Sequence, residues 1–239
     1  MSSSLEDATA EGLVPPYREL QRQRERRRMS KAIRQYRFKR GFDLLALLIV
    51  MIPLGLLGIL LAGLVRIGGG PVFFRSVRMG ASGRSFAMYK FRTMAPDAEF
   101  RLEAHLQQNP QARLDYNNRY KLKHDPRVTP MGRFLRKFSL DELPQLINVL
   151  KGDMSLVGPR PRLLREIADA ERYNTRHFEA YYLSRPGMTG LWQVSGRSET
   201  DYHARVRLDA LYVRQMSLTQ DLSILARTIP VVLLGRGEY

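Results

Sequence analysis

From Leu44 to Val65 the chain runs for 22 residues without a charge, and no other feature limits its fold as strongly. As one helix this segment is about 33 Å long, enough to match a hydrocarbon core of about 30 Å. Soluble helices keep a polar face and this one has none, so a buried core helix is the weaker reading and membrane insertion the natural one. Pro53 sits near the middle, where it removes a backbone donor and crowds the preceding turn, and Gly55, Gly58 and Gly63 weaken the helix further. Arg37, Lys39 and Arg40 precede the segment and Arg66 follows it, so the positive-inside rule does not separate its ends. A re-entrant hairpin broken at Pro53, with both ends cytosolic, satisfies both observations; a kinked spanning helix is the rival.

The remaining charge is strongly one-sided. Thirty-nine Lys and Arg against 23 Asp and Glu give a net +16, which calls for an anionic partner: nucleic acid, an acidic membrane surface or a phosphorylated substrate. A nucleic-acid-binding module would use this charge equally well but leaves the apolar segment unexplained. The absence of cysteine excludes disulfides, thiol catalysis and Cys-bound zinc, and favours a cytoplasm-facing location. His105, His124, His177 and His203 lack metal-ligand spacing, and there is neither a P-loop nor a GxGxxG fingerprint.

Length suits one principal folded unit behind an arm. Residues 1–37 read as a basic N-terminal arm without the features of a cleaved signal. Its Ser- and acid-rich start is expected to be disordered, and the run from Arg22 to Arg28 could form a surface helix, either solvated or drawn to anionic membrane lipid. Residues 38–67 hold the membrane segment, and a domain occupying 68–239 begins after the turn Gly68-Gly69-Gly70-Pro71. There, Val72–Arg78 and Phe86–Arg92 read as a β-hairpin, and Ala95–Asn118 as helix interrupted at Pro110. A helix carrying Leu143, Leu146, Ile147 and Leu150 should stop at Gly152, and Leu163–Tyr182 reads as helical. Leu218–Leu234 reads as an apolar helix kinked at Pro230, suited to a membrane interface or to the core. The fold class expected is α+β, mostly helical, with a re-entrant membrane helix, interfacial helices and a small β-hairpin.

Ionic residues concentrate between Arg133 and Gln145, followed by Gly158-Pro159-Arg160-Pro161-Arg162. Asp141 and Glu142 sit among Arg133, Arg136, Lys137, Arg160 and Arg162. Ser139 and Glu142 have capping-box spacing, while Pro144 fits better if Asp141 is the cap. A helix start is also a phosphate site, so Asp141 could cap and react. Arg136, Lys137 and Arg160 would favour its ionised form, as a carboxylate nucleophile needs. Attack on a diphosphate calls for neutralising charge, from arginine and a divalent ion such as Mg2+, with Glu142 its natural ligand beside Asp141. The prolines flanking Arg160 make a stiff holder for a bidentate phosphate donor, or simply a rigid turn. In the loop from Arg185 to Arg197, Trp192 reads as core and Arg197 as a polar substrate contact or a surface residue.

Together these residues resemble the bacterial sugar transferases, the monotopic phosphoglycosyl transferases, from about Phe38 to Gly237. The resemblance is carried by Lys39-Arg40-Gly41-Phe42-Asp43, Tyr89-Lys90-Phe91-Arg92-Thr93-Met94, Ser139-Leu140-Asp141-Glu142-Leu143-Pro144-Gln145, Leu150-Lys151-Gly152-Asp153-Met154-Ser155, Val157-Gly158-Pro159-Arg160-Pro161 and Arg185-Pro186-Gly187-Met188-Thr189-Gly190. It implies a re-entrant helix broken at a Ser-Pro step, which reads Ile52-Pro53 here, below a catalytic domain on the cytoplasmic face of the bacterial inner membrane. It also implies a chemistry: Asp141 attacks the sugar-proximal phosphate of a UDP-hexose, releases UMP and passes hexose 1-phosphate to undecaprenyl phosphate. Asp141 and Glu142 would hold Mg2+, and Arg136 and Arg160 would hold phosphate, with Lys90, Arg92, Arg185 and Arg197 as further substrate contacts. Galactose or glucose is the hexose guessed. The chain looks like a minimal catalytic form acting at the first membrane step of exopolysaccharide or related glycan synthesis, before downstream glycosyltransferases, as a possible homo-oligomer. A non-catalytic membrane scaffold for glycan assembly is the alternative.

Overall fold

The computed structural model describes residues 15–119, 122, 125–163, 166, 180–195 and 202–235. The arm's basic stretch forms helix α1 (Pro15–Gln35), and a turn leads into α2 (Lys39–Ile67). Strands β1 (Phe73–Met79) and β2 (Ser85–Phe91) form the expected hairpin, antiparallel, with Phe73 opposite Phe91 and Met79 opposite Ser85. Helices α3 (Ala98–Gln108) and α4 (Pro110–Arg119) divide at Pro110 as the sequence predicts. They are followed by α5 (Pro130–Lys137), a 3-10 turn at Leu140–Glu142 and α6 (Gln145–Lys151). Gly152 ends α6 at φ 88°, a left-handed conformation that a side chain would strain.

Beyond α6 the sequence reading missed a sheet. Strands β3 (Ser155–Val157) and β4 (Gly187–Thr189) pair in parallel, Ser155 against Gly187 and Val157 against Thr189. A Cβ on Gly187 would stand 2.0 Å from the Gly158 nitrogen, so the two loops meet at a closeness only glycine allows. The expected helix from Leu163 to Tyr182 lies largely outside the described residues, and α7 (Ala180–Leu183) is helical where that range ends. A 3-10 turn at Trp192–Val194 leads on to α8 (Tyr202–Arg214) and α9 (Leu218–Leu233). Ser217 caps α9 by accepting from the Gln220 N–H at 3.2 Å.

Pro53 does not end α2: the helix continues through it for 29 residues. A proline inside a helix removes one hydrogen bond and can bend the axis without stopping it, and an apolar segment has no better conformation in which to satisfy its backbone. Nor is α2 a core helix. Ile52, Ile59 and Ile67 are 73%, 73% and 83% exposed, and Leu45, Leu48, Ile49, Leu56 and Leu60 are also open. α2 is the one helix among the described residues long and apolar enough to cross a membrane.

Both halves of α2 nevertheless pack on the same domain. Leu47, with Ala46 beside it, joins the main core of Val149, Met154, Val157, Tyr212 and Ile224. Leu61 and Val65 join a second core with Phe91 and Leu135, flanked by Leu57, Met131, Leu140 and Leu143. The start of α2 is pinned by buried polar contacts. Asp43 accepts from the Ser155 hydroxyl at 2.8 Å and from the Leu156 N–H at 3.3 Å, while Lys39 donates to both Asp43 and Asp221.

Candidate active site

Each wall of the site is set by a local device. On α5, the Thr129 hydroxyl accepts from the Gly132 N–H at 2.9 Å and Pro130 opens the helix, a start the residue types favour. Gly132 lies so close to the segment following β2 that a Cβ would be 2.0 Å from the Thr93 carbonyl oxygen. That approach lets Arg136 donate from Nε to the Thr93 hydroxyl at 2.9 Å. After α5 the chain turns sharply at Ser139, whose φ of 55° is a conformation that costs a non-glycine residue about 1–2 kcal/mol. The turn delivers Asp141 and Glu142 as adjacent residues, bracketed by Leu140 and Leu143 packed against the second core. Neither capping reading holds: Ser139 is left-handed and makes no side-chain cap, and Pro144, not Asp141, stands at the start of α6.

The opposite wall is β2, fastened by a residue the sequence reading passed over. Asn148 of α6 is fully buried, accepts from the Tyr89 N–H at 3.0 Å and donates to the Ala87 carbonyl at 2.8 Å. Its amide thus behaves as one more strand against β2 and fixes Lys90 opposite the dyad. Lys90 Nζ donates to Asp141 Oδ2 at 3.2 Å and to Glu142 Oε1 at 2.7 Å. Expected as a phosphate contact, Lys90 is placed as the counter-ion of the dyad.

These residues line a cleft of about 1060 Å³, shared with Arg78, Arg92, Arg127, Arg136, Ser139, Arg160, Trp192 and Gln193. Its rim also carries Phe74 and Phe100, 54% and 75% exposed. Burial pushes the Asp141 carboxyl above its ordinary value, Glu142 adds to the rise, and Lys90 and Arg136 only partly oppose it. Lys90 and Arg136 thus favour the ionised form, as expected of cations here, while desolvation outweighs them in the direction of the shift; Lys137 is exposed and not part of the cleft. Burial alone would lower Lys90, but Glu142 and Asp141 outweigh it and the ammonium is raised, so it stays charged.

Arg160 is held as a stiff arm. Neither flanking proline carries an N–H, and the Arg160 N–H is donated to buried Asp209 Oδ2 at 3.4 Å, with Tyr181 donating to the same oxygen and Arg162 close by. The Arg160 guanidinium lies 5.1 Å from the Trp192 ring centroid, and Arg205 lies 5.0 Å from it. Trp192 is core, as expected, at 1% exposed. Arg92 lines the cleft while donating to the Gly69 carbonyl at the end of α2. Arg185 is exposed and does not line the cleft, and its main chain packs against Gly158. Arg197 lies outside the described residues. Arg127, which donates two-pronged to Asp125 at 3.0 and 2.7 Å, and Arg78 were not anticipated in the cleft; only their charge could have pointed to them.

Among the described residues no three Asp, Glu or His side chains form a metal-binding group. The paired carboxylates of Asp141 and Glu142 in a cation-rich cleft nevertheless fit Mg2+, which commonly takes one or two carboxylates and fills its remaining positions from phosphate and water.

The family model for bacterial sugar transferase matches residues 34–235. The chain is 47% identical over 209 residues to an undecaprenyl-phosphate galactose phosphotransferase of Salmonella typhimurium, an alignment covering 87% of this chain and 43% of that protein. It is 46% identical over 202 residues to the exopolysaccharide production protein ExoY of Sinorhizobium fredii, covering 84% and 88%. An undecaprenyl-phosphate glucose phosphotransferase of Komagataeibacter xylinus is 35% identical over 209 residues, covering 84% and 37%. The chain thus spans about two fifths of the phosphotransferases' length and most of ExoY's.

Proposed function

Because the chain belongs to the bacterial sugar transferase family, we propose that it transfers hexose 1-phosphate from a UDP-hexose to undecaprenyl phosphate, an early membrane step of exopolysaccharide synthesis. The observation that carries this reading is Lys90 bridging Asp141 and Glu142 in an arginine-lined cleft beside the exposed apolar helix α2. Galactose is the proposed hexose, since the galactose phosphotransferase is more similar to this chain than the glucose phosphotransferase is.

In the first half-reaction an Asp141 carboxylate oxygen attacks the sugar-proximal phosphorus, and the bond from that phosphorus to the bridging oxygen breaks. UMP departs with the bridging oxygen, leaving the phosphosugar as a mixed anhydride on Asp141. In the second, a phosphate oxygen of the lipid attacks the same phosphorus and frees Asp141, giving the undecaprenyl diphosphate hexose. The raised carboxyl makes Asp141 a stronger nucleophile once ionised, and Lys90, donating to it, favours that ionised form against burial. Arg136 and Arg160, fixed through Thr93 and Asp209, are placed to hold phosphate oxygens as charge shifts toward UMP. Asp141 and Glu142 would hold Mg2+, which supplies further neutralisation of the diphosphate when bound.

For the membrane, the proposal is that α2 dips into the cytoplasmic leaflet and returns. Leu47 and Leu61 are about 21 Å apart along a straight helix, and both pack on one domain. A helix crossing the hydrocarbon would have its ends on opposite faces, so this packing supports the re-entrant reading over the spanning one. On α9, Leu222, Ile229 and Leu233 remain exposed and suit an interfacial position.

The test is UMP release from a panel of UDP-sugars by the detergent-purified chain with Mg2+ and undecaprenyl phosphate. Release with UDP-galactose is expected, and Asp141→Asn should abolish it. With the lipid omitted, label from the sugar-proximal phosphate should remain on the wild-type protein. Turnover by Asp141→Asn near the wild-type rate would overturn the covalent route, and no UMP from any donor would overturn the transferase reading.

A further inference from the structure

Helix α1 carries a cationic stripe that the cleft does not use. Arg24, Arg27, Lys31 and Arg34 follow one another at three- and four-residue steps, so they share one face of the helix, and the three whose exposure matters most to a ligand, Arg27, Lys31 and Arg34, are open to solvent like Arg24. The face opposite is the docked one. Met29, Ala32 and Tyr36 are buried, and Glu25 accepts from Arg214 of α8 at 2.8 Å. The two acidic residues of α1 are Glu19 and Glu25, and neither lies at a stripe position.

Like charges at these spacings repel one another along a helix, and no acidic residue of α1 stands between them on the stripe. What keeps the cations aligned is the packing behind. Tyr36 donates to Asp221 at 3.1 Å, and Asp221 also accepts from Lys39, so the junction of α1 and α2 is tied to α9. The stripe is therefore ordered before any partner arrives, and binding need not fold it. Its position selects the partner. A turn at residues 36–38 is all that separates α1 from α2, whose exposed apolar side chains begin at Leu44 and Leu45.

We propose that Arg24, Arg27, Lys31 and Arg34 form a docking face for anionic phospholipid headgroups beside the place where α2 meets the bilayer. This rests on the membrane placement of α2 proposed above, and it assigns to the arm the work of pressing the domain against the acidic surface. Each cation near such a surface adds attraction equivalent to about fivefold in occupancy, from about 1 kcal/mol per charge, and salt weakens it as screening shortens.

The chain has no cysteine, so Gln23→Cys, at an exposed position next to the stripe, takes a single fluorophore on the full-length protein. The protein is placed in lipid nanodiscs of phosphatidylcholine alone or with a minority of phosphatidylglycerol, and quenching by headgroup-labelled lipid is read. Quenching is expected in the anionic discs, weak in the neutral ones, reversed by high salt, and lost when all four residues are changed to Gln. UMP release in detergent should be unchanged by those four substitutions. Equal quenching in both discs, or quenching untouched by the fourfold variant, would overturn the proposal. So would a stripe that binds added RNA while leaving anionic lipid unquenched. Failure of the protein to enter discs at all would instead overturn the membrane placement of α2, and is read separately from the amount of protein in the disc fraction.

Discussion

Replacing Lys90 by Met is the most direct test of how the dyad works. The substitution keeps most of the side chain's length and removes the ammonium that lies 3.2 Å from Asp141 and 2.7 Å from Glu142. Two opposite charges at about 4 Å interact by about 4 kcal/mol at an effective dielectric of about 20, and residual solvent access reduces what is lost. On the order of 2–4 kcal/mol is then removed from the ionised dyad, equivalent to about 30- to 1000-fold in kcat near neutrality. The sign of the pH effect follows from the direction of the carboxyl shift. Burial already raises Asp141 and Lys90 is the main force opposing that rise, so without Lys90 the carboxyl climbs further. Attack requires the ionised form, so the acidic limb of the kcat profile should move to higher pH, and activity should partly return as the pH is raised. The assay is UMP release across pH, with KM for the donor measured alongside. Lys90→Arg, which keeps the charge, should leave the limb close to its wild-type position. A Lys90→Met enzyme with kcat within about threefold of wild type and an unmoved acidic limb would refute this account.

Two further predictions concern the supports behind the site. Asn148→Leu keeps the volume but strands the Tyr89 N–H and the Ala87 carbonyl, each costing about 1–3 kcal/mol, so unfolding in denaturant should show a loss of about 2–6 kcal/mol and UMP release should fall with it. Burial raises Asp209 from 3.8 to about 6, against the opposing influence of Arg162 and Tyr181. A folded acid shifted upward favours the protonated native state, so its contribution to stability is lost as pH rises from the unfolded value through about 6; the loss is about 3 kcal/mol. Thermal unfolding of Asp209→Asn should accordingly show a shallower fall in stability between about pH 4 and 6 than wild type, and parallel curves would count against the assignment.

The parts of this protein that were legible in the sequence are those written in local signals. Gly80 and Gly83 mark the hairpin turn, Pro110 divides α3 from α4, and Gly152 stops α6 because each demands a backbone geometry by itself. The dyad with Arg136 and Arg160 was legible for a different reason, the crowding of ionic residues beside turn residues, and the structure brings all four into one cleft. What escaped depends on partners far along the chain. Asn148 is polar in a helix whose leucines alone suggest a face, and its two strand contacts lie about sixty positions away. Asp209 matters because Arg160 and Tyr181 arrive beside it from other elements. Pro53 shows a different limit, since a proline inside an apolar segment can bend a helix without stopping it, and here the helix continues through it.

The placement of the dyad also bears on how a charged reaction is joined to an apolar helix. Leu140 and Leu143, on either side of Asp141 and Glu142, pack with Leu61, Val65 and Phe91, so the carboxylates stand on the same apolar layer as the second half of α2. Arg40 donates to the Val149 and Leu150 carbonyls at the end of α6, and Asp43 holds β3, so the first half of α2 grips the other side of that short helix. The seven residues of α6 are thereby held by the first half of α2, the dyad just before them stands over the second half, and Asn148 fastens β2 to them. In the reaction proposed here a water-soluble donor must meet an acceptor whose chain stays in lipid. An enzyme with a separate membrane anchor would have to lift that acceptor to a distant site. Under that proposal Asp141 and the apolar helix share one packed layer, which would let the acceptor's phosphate reach Asp141 while its chain stays among apolar side chains.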